Sequence, residues 1–266
     1  MKPEVKRELK NLLVSCIQEK IRKYNPETES KPFFEAIFSK KTVNIASLIQ
    51  SFYTSFGTSV YEQMAILLAK KNAGYDAERQ YVLRGKIDQN TEVLINDMHL
   101  EILRTRVAGS KIDQIKRIRN SIIQGSPEQD PESIVDVFIK TRSGLEYYFD
   151  VTSPKGNIKE FRTLKKKLLR WVALRLSLDK AANINTALAI PYNPYYPQPY
   201  TRWTSTNLYD SSELLVGPEF WNFVAGEEIY EELLDTFGEV GKELRSVIDK
   251  AVGNDAHQST LPSGSP

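Results

Sequence analysis

The sequence predicts an α/β (α+β) fold, a central mixed sheet flanked by helices and preceded by a helical N-terminal layer. Three observations carry that expectation. Runs rich in β-branched and aromatic residues at 134–139 and 146–153, with a shorter one at 187–190, read as strands. Apolar residues recur at three- and four-residue spacing through 60–71 and 162–178, which supplies the flanking helices. Ahead of residue 57 the periodicity is helical. A chain of 266 residues with 41% hydrophobic content is long enough for a large core and a smaller layer. The domain reading is a helical layer over 1–56, a larger domain over 57–252 and a disordered, apolar-poor tail over 253–266.

Val5, Leu9, Leu12, Leu13, Cys16, Ile17 and Ile21 form the apolar stripe of a first helix, which Tyr24-Asn25-Pro26 ends, and Cys16 is expected in its core. One or two short helices follow over 32–55, with Phe33, Phe34, Ile37 and Phe38 and then Ile45, Leu48, Ile49 and Phe52. Thr58 or Ser59 is positioned to cap the helix from Val60 to Lys71. Glu62 lies in its first turn, where the helix macrodipole already favours an acid. The weak alternation of 76–88 is a strand or an irregular loop, and 97–123 is a long, locally basic helical pattern broken near Gly109. Residues 125–131 read as a turn-rich linker.

Residues 133–155 carry the chemistry. Ile134–Ile139 and Leu145–Val151 are strand-like, and Thr141-Arg142-Ser143-Gly144 supplies a tight turn between them. Into this apolar pair are set Asp136 and Asp150, and Lys155 follows where the second strand runs out at Pro154. A carboxylate inside a strand opposes β propensity and is costly to bury without a partner, most economically a hard divalent cation. Two acids and a lysine at strand ends suit metal-assisted phosphodiester hydrolysis with Mg²⁺. The helical segment 162–178 then buries one face and offers a basic one. Past the strand at 187–190, the Pro- and Tyr-rich run 191–203 is an ordered loop or arm with Arg202 as its charged member. A last strand at 214–216, a short helix at 219–223 and a helix pair over 228–252 complete the order.

Composition removes competing chemistries. With two histidines, His99 and His257, the chain assembles neither a His-based zinc site nor a Ser-His triad. With Cys16 alone it forms no intramolecular disulfide. A net charge of +2 implies no global attraction to polyanions, so a nucleic-acid surface has to be local. No secretory or transmembrane stretch is present, which points to a cytoplasmic protein.

The acids and lysine together resemble the core of the PD-(D/E)XK nucleases, in which one acid on a first strand is followed on the next by an acid, a spacer and a lysine. Val135 stands where that motif has proline, and Asp150-Val151-Thr152 has threonine in the lysine place. Ser153-Pro154-Lys155 is similar to the Ser-X-Lys variant of type II restriction endonucleases that read CCGG cores. The resemblance covers about residues 57–190. It implies a restriction-endonuclease-like core, Mg²⁺ held by Asp136, Asp150 and Glu62, and Lys155 and Ser153 at the scissile phosphate. It also implies double-stranded DNA as partner, a homodimer or higher homo-oligomer on a palindromic, GC-containing site, and no membrane. DNA contacts would come from Lys159, Glu160, Arg162, Lys165, Lys166 and Arg202. Strand alternation leaves two arrangements open. A bulge near Pro154 brings Asp136, Asp150 and Lys155 together, whereas a regular strand turns Asp150 away and calls on Glu62. A repair or junction-resolving nuclease of the same fold, and a non-catalytic DNA-binding protein with a decayed site, are the alternative readings.

Overall fold

The structure, a computed structural model, describes residues 1–25, 31–123, 125, 129–202, 205 and 207–253. The chain forms two compact units, one of residues 1–5 with 61–230 and the other of 6–60 with the chain from 231 onward. The helix pair assigned from sequence to the larger domain therefore groups with the N-terminal helices. The expected tail lies outside the described residues beyond Gly253, as does His257.

Helix α1 (Pro3–Lys23) carries Glu4 in its first turn and Lys20, Arg22 and Lys23 in its last, as the macrodipole favours. Its stripe buries Val5, Leu9 and Leu13. Cys16, expected in the core, is only half-buried, because it falls at the margin of that stripe. Helices α2 (Pro32–Ile37) and α3 (Lys40–Ser55) follow, and Ser39 caps α3 through Thr42 N–H. Phe56–Val60 is already π-helical, so the helix expected to open at Val60 lies inside a continuous helical run.

In the other unit α4 (Tyr61–Leu67) buries Glu62, Met64 and Ala65 and leads through a π-helical turn, Leu68–Ala73, to β1 (Asp76–Arg84). The weak alternation of this stretch is that of an edge strand, half-wet on both faces. Asp88 and Ser110 cap α5 (Gln89–Thr105) and α6 (Lys111–Ser121), and the expected break near Gly109 lies between them. Strand β2 (Gln129–Lys140) begins earlier than expected. The linker read over 125–131 yields to strand from Gln129, which pairs with Arg84 across a register shift, and 126–128 lie outside the described residues. Strand β3 (Glu146–Val151) ends two residues before the expected 153. Asn157 and Glu160 form a capping box that opens α7 (Ile158–Leu178). Strands β4 (Ile184–Ile190) and β5 (Leu214–Val216), then helix α8 (Pro218–Ala225), complete this unit, and α9 (Tyr230–Glu243) and α10 (Arg245–Gly253) follow.

The five strands run β1-β2-β3-β4-β5, antiparallel from β1 to β3 and parallel from β3 to β5. A parallel neighbour needs a long crossover, and α7 is that crossover between β3 and β4. Every residue of β4 is buried, as a central strand covered on both faces must be. Phe138 and Tyr148 join Leu168, Trp171 and Val172 of α7 in the main core, while the alternating residues Tyr147 and Phe149 meet Phe223 and Phe220 of α8. Gly85 ends β1 at φ +142°, where a Cβ would lie 2.3 Å from the Leu174 carbonyl, so only glycine admits this approach of β1 to α7. The result is an α+β fold with a mixed sheet and flanking helices, consistent with a restriction-endonuclease-like core. No helix among the described residues is long and apolar enough to cross a membrane.

Candidate active site

Strand register brings the acids together. Arg79 pairs with Val137 and Tyr81 with Val135, which sets Gln80 across from Asp136. Val137 pairs with Phe149, so the next position along sets Asp136 across from Asp150, and Asp150 pairs in turn with Leu188. A polar row, Gln80-Asp136-Asp150, thus crosses three strands and stops at an apolar residue. Like charges facing each other across antiparallel strands destabilise a sheet, which makes the row a candidate site.

Each member is held. Asp136 Oδ2 accepts the Val151 N–H at 2.8 Å. Gln80 Nε2 donates to Asp136 Oδ1 at 3.3 Å and to Glu62 Oε2 at 3.0 Å. Glu62, on α4, is 2% exposed and has Arg79 Nε 3.4 Å from the same oxygen. On the other side Lys167 of α7 puts Nζ 2.5 Å from Asp150 Oδ2, with its ammonium 4.8 Å from the ring centre of buried Trp171. Burial first, then the charge of Asp150, pushes the Asp136 carboxyl up to about 6. Burial also raises Glu62, against the pull of Gln80 and Arg79. These hard, mutually repelling oxygen donors are the chemistry a divalent cation fits. Among the described residues no three such side chains already share ligand distance. The neutral amide of Gln80 and the ammonium of Lys167 lie against the carboxylates instead.

Of the two arrangements left open by strand alternation, the structure has Asp150 turned toward Asp136 and Glu62. Ser153 and Lys155 lie beyond the end of β3, both exposed. Ser153 Oγ accepts the Lys155 N–H at 3.3 Å. The Pro- and Tyr-rich loop pins this segment: Tyr200 donates to the Pro154 carbonyl at 2.9 Å, and Arg202 to the carbonyls of Lys155 and Gly156 at 3.2 and 3.3 Å. Arg202 thus spends its guanidinium on backbone carbonyls. Thr152, in the motif's lysine place, reaches Glu160 at 3.3 Å and not the acids.

The basic segment divides by helix face. Lys159 is exposed, Glu160 is committed to the cap, and Lys166 lies 4.0 Å from Glu92. Lys165 corrects the expectation of a DNA contact. It is fully buried on the face it shares with Phe161, Leu168 and Val172, where its ammonium meets Glu213. The carbonyl of Arg162 takes the Nε2 proton of His99 at 2.8 Å. Burial, with the nearby lysines and Arg162, holds His99 below its usual 6.5. The unfolded chain then takes up a proton near pH 6.5 that the native chain refuses, so this contribution to stability is present above 6.5 and lost as pH falls below it. Urea unfolding at pH 7 and pH 5 is expected to show a smaller drop in midpoint for His99→Gln than for the native chain. An equal drop would discard His99 as the source.

Sequence reading missed Gln80 and Lys167. Gln80 has no signal, being one polar residue in a half-wet strand, and Lys167 is one of three consecutive lysines.

Comparison with known proteins identifies the family. The model of the type II restriction endonuclease HinfI family matches residues 1–241. The type II restriction enzyme HgiCII of Herpetosiphon aurantiacus is 25% identical over 225 residues, 83% of this chain and 81% of its own length. HgiEI of the same organism is 25% identical over 216 residues, 79% of this chain and 77% of its own. HgiBI, also from that organism, is 23% identical over 262 residues, 90% of this chain and 94% of its own. Since the family model spans both the acidic row and the helices around it, the chain belongs to the HinfI family of type II restriction endonucleases, site-specific hydrolases that act on double-stranded DNA.

Proposed function

We propose that this enzyme hydrolyses phosphodiester bonds with Mg²⁺ at a PD-(D/E)XK-like centre, cutting both strands of a short palindromic, GC-containing site as a homodimer. The facing of Asp136 and Asp150 across β2 and β3, with Glu62 beside them, is the observation that supports it most. A two-fold protein matches a two-fold site, which is the argument for the dimer.

Glu62, Asp136 and Asp150 would hold the metal, which when bound supplies positive charge to the phosphate and its attacking water. The partial burial of Asp136 and the near-complete burial of Glu62 strengthen their electrostatic action by excluding high-dielectric solvent. An ammonium then has to orient the water or offset charge on the phosphate. The family likeness gives that part to Lys155 with Ser153. Geometry favours Lys167, whose ammonium is fixed by Asp150 and the Trp171 ring, while Thr152 occupies the usual lysine position. Lys159, Arg162 and Lys166 at the start of α7 supply phosphate contacts, and Arg162 is of the type that reads guanine.

Plasmid DNA of mixed sequence incubated with the protein and Mg²⁺ is expected to yield discrete fragments with one shared end sequence. Smearing or binding without cutting would overturn the proposal. Lys167→Ala is expected to slow cleavage by about 10²–10⁴-fold, the range for a lost proton-handling group, and Lys155→Ala by less than about tenfold. The opposite ranking returns the role to Lys155.

A further inference from the structure

Gln80 has a backbone its position does not call for. Its φ is +52°, the left-handed region, in the middle of β1. The other non-glycine residues with positive φ among those described are Arg106, which ends a helix, and Asn207, in a turn. On both sides of Gln80 the ladder with β2 is intact and keeps one register, through Arg79 with Val137 and Tyr81 with Val135. At Gln80 the strand therefore leaves extended geometry without slipping, and its register shift comes only later, between Val82 and Arg84. Such a conformation persists only where its surroundings hold it, and residues of this kind gather at functional sites. What it gains here is placement: one amide nitrogen serves two carboxylates from different elements, Glu62 of α4 at 3.0 Å and Asp136 of β2 at 3.3 Å.

We propose that Gln80 is a positioning residue for the metal-binding carboxylates, tying Glu62 to Asp136 so that the two ligands are spaced before a cation arrives. The proposal rests on the metal reading given above. The amide suits the task because it is neutral. A lysine or arginine bridging the same two oxygens would cancel negative charge that attracts the cation, whereas a glutamine restrains both acids without adding to the positive charge that Arg79 already sets 3.4 Å from Glu62 Oε2. It yields the oxygens for the loss of two amide-to-carboxylate hydrogen bonds and not of a further ion pair.

Two variants separate positioning from structure. Gln80→Gly accepts φ +52° without strain but has no amide. Gln80→Asn also tolerates the left-handed region but is one methylene too short to span both carboxylates. Both are expected to unfold at or above the native temperature. In calorimetric titration of the DNA-free full chain with Mg²⁺ or Ca²⁺ alone, both are expected to bind about tenfold more weakly, in line with the loss of a residue that orients a ligand. Half-saturation of cleavage by Mg²⁺ should rise by the same factor, with the rate at saturating Mg²⁺ within about twofold of native. Native-like cation affinity in either folded variant overturns the proposal, even if activity falls. Failure of the native chain itself to bind a divalent cation overturns both this proposal and the metal reading beneath it. Weakened affinity only in a variant that has lost its thermal transition assigns Gln80 a structural role and likewise overturns it.

Discussion

Asp136→Asn is expected to lose cleavage by at least about 10²–10³-fold, the loss typical of removing one charge-stabilising group from a site, while gaining thermodynamic stability. The two halves of this result share one cause. In the native chain the Asp136 carboxylate faces that of Asp150 across the β2/β3 ladder, is partly buried, and titrates near 6 because of that burial and that neighbour. Asparagine has nearly the same shape and keeps an oxygen for the Val151 N–H now made at 2.8 Å, while its NH₂ replaces the negative oxygen that takes the Gln80 amide at 3.3 Å, so one long hydrogen bond is given up together with the charge facing Asp150. Removing a facing like charge gives back up to about 1 kcal/mol in a sheet. The same substitution removes a hard oxygen donor of the proposed metal site. Cleavage time courses and urea unfolding at neutral pH read the two halves. Unchanged cleavage would end the site assignment. Destabilisation by more than about 1 kcal/mol would mean that Asp136 is chiefly a structural hydrogen-bond acceptor, since a surface-like change costs less than that.

The hairpin was legible because its strands are β-branched and aromatic and its turn is punctuated by Gly144. The facing of Asp136 and Asp150 was implicit in the same stretch, since both lie seven residues from Ser143 at the turn. What composition alone could not separate was the fate of each charge in the basic helix. Lys165, Lys166 and Lys167 are adjacent in sequence, yet helical rotation sends Lys165 into the core, Lys166 toward Glu92 and Lys167 to Asp150. Counting charges marks the segment as a DNA-facing surface, whereas the apolar period through Phe161, Leu168 and Val172 already includes position 165. Likewise Arg202 looked like an exposed cation in an irregular loop, and its engagement with the carbonyls of Lys155 and Gly156 depends on long-range folding that no local pattern encodes. Strand β1 was ambiguous for a different reason. An edge strand needs neither clean alternation nor an apolar run, because solvent satisfies part of its backbone.

Glu213→Gln is expected to be the most damaging substitution for stability, at about 3–5 kcal/mol, the range for breaking a buried ion pair from one side. Glu213, Lys111 and Lys165 are all buried. One carboxylate oxygen meets Lys111 Nζ at 2.7 Å, and the other bonds Lys165 and accepts the Asp210 N–H at 3.1 Å. Thr186 Oγ1 at 2.7 Å and Gln114 Oε1 at 3.0 Å complete the two ammonium groups. The cluster thereby joins α6, α7, β4 and the approach to β5. It also holds two positive charges against one negative. Burial first, then the charge of Lys111, pushes Lys165 down to about 8, against the attraction of Glu213. Without the carboxylate, two ammonium groups remain in an apolar interior with only neutral acceptors, and each must shed its proton or drag in water. Two controls isolate the charge. Lys165→Met removes the surplus cation and leaves Glu213 paired with Lys111, so it is expected to cost less than about 1.5 kcal/mol, as volume-conserving core changes do. Lys111→Met, Lys165→Met and Glu213→Leu together replace the cluster with apolar groups of similar volume and are expected to come within about 1 kcal/mol of the native chain or above it. Urea unfolding of the three proteins measures each value. A loss under about 1 kcal/mol for Glu213→Gln, or a triple variant no better than that single one, would show that packing at Glu213 and not its charge holds these elements together.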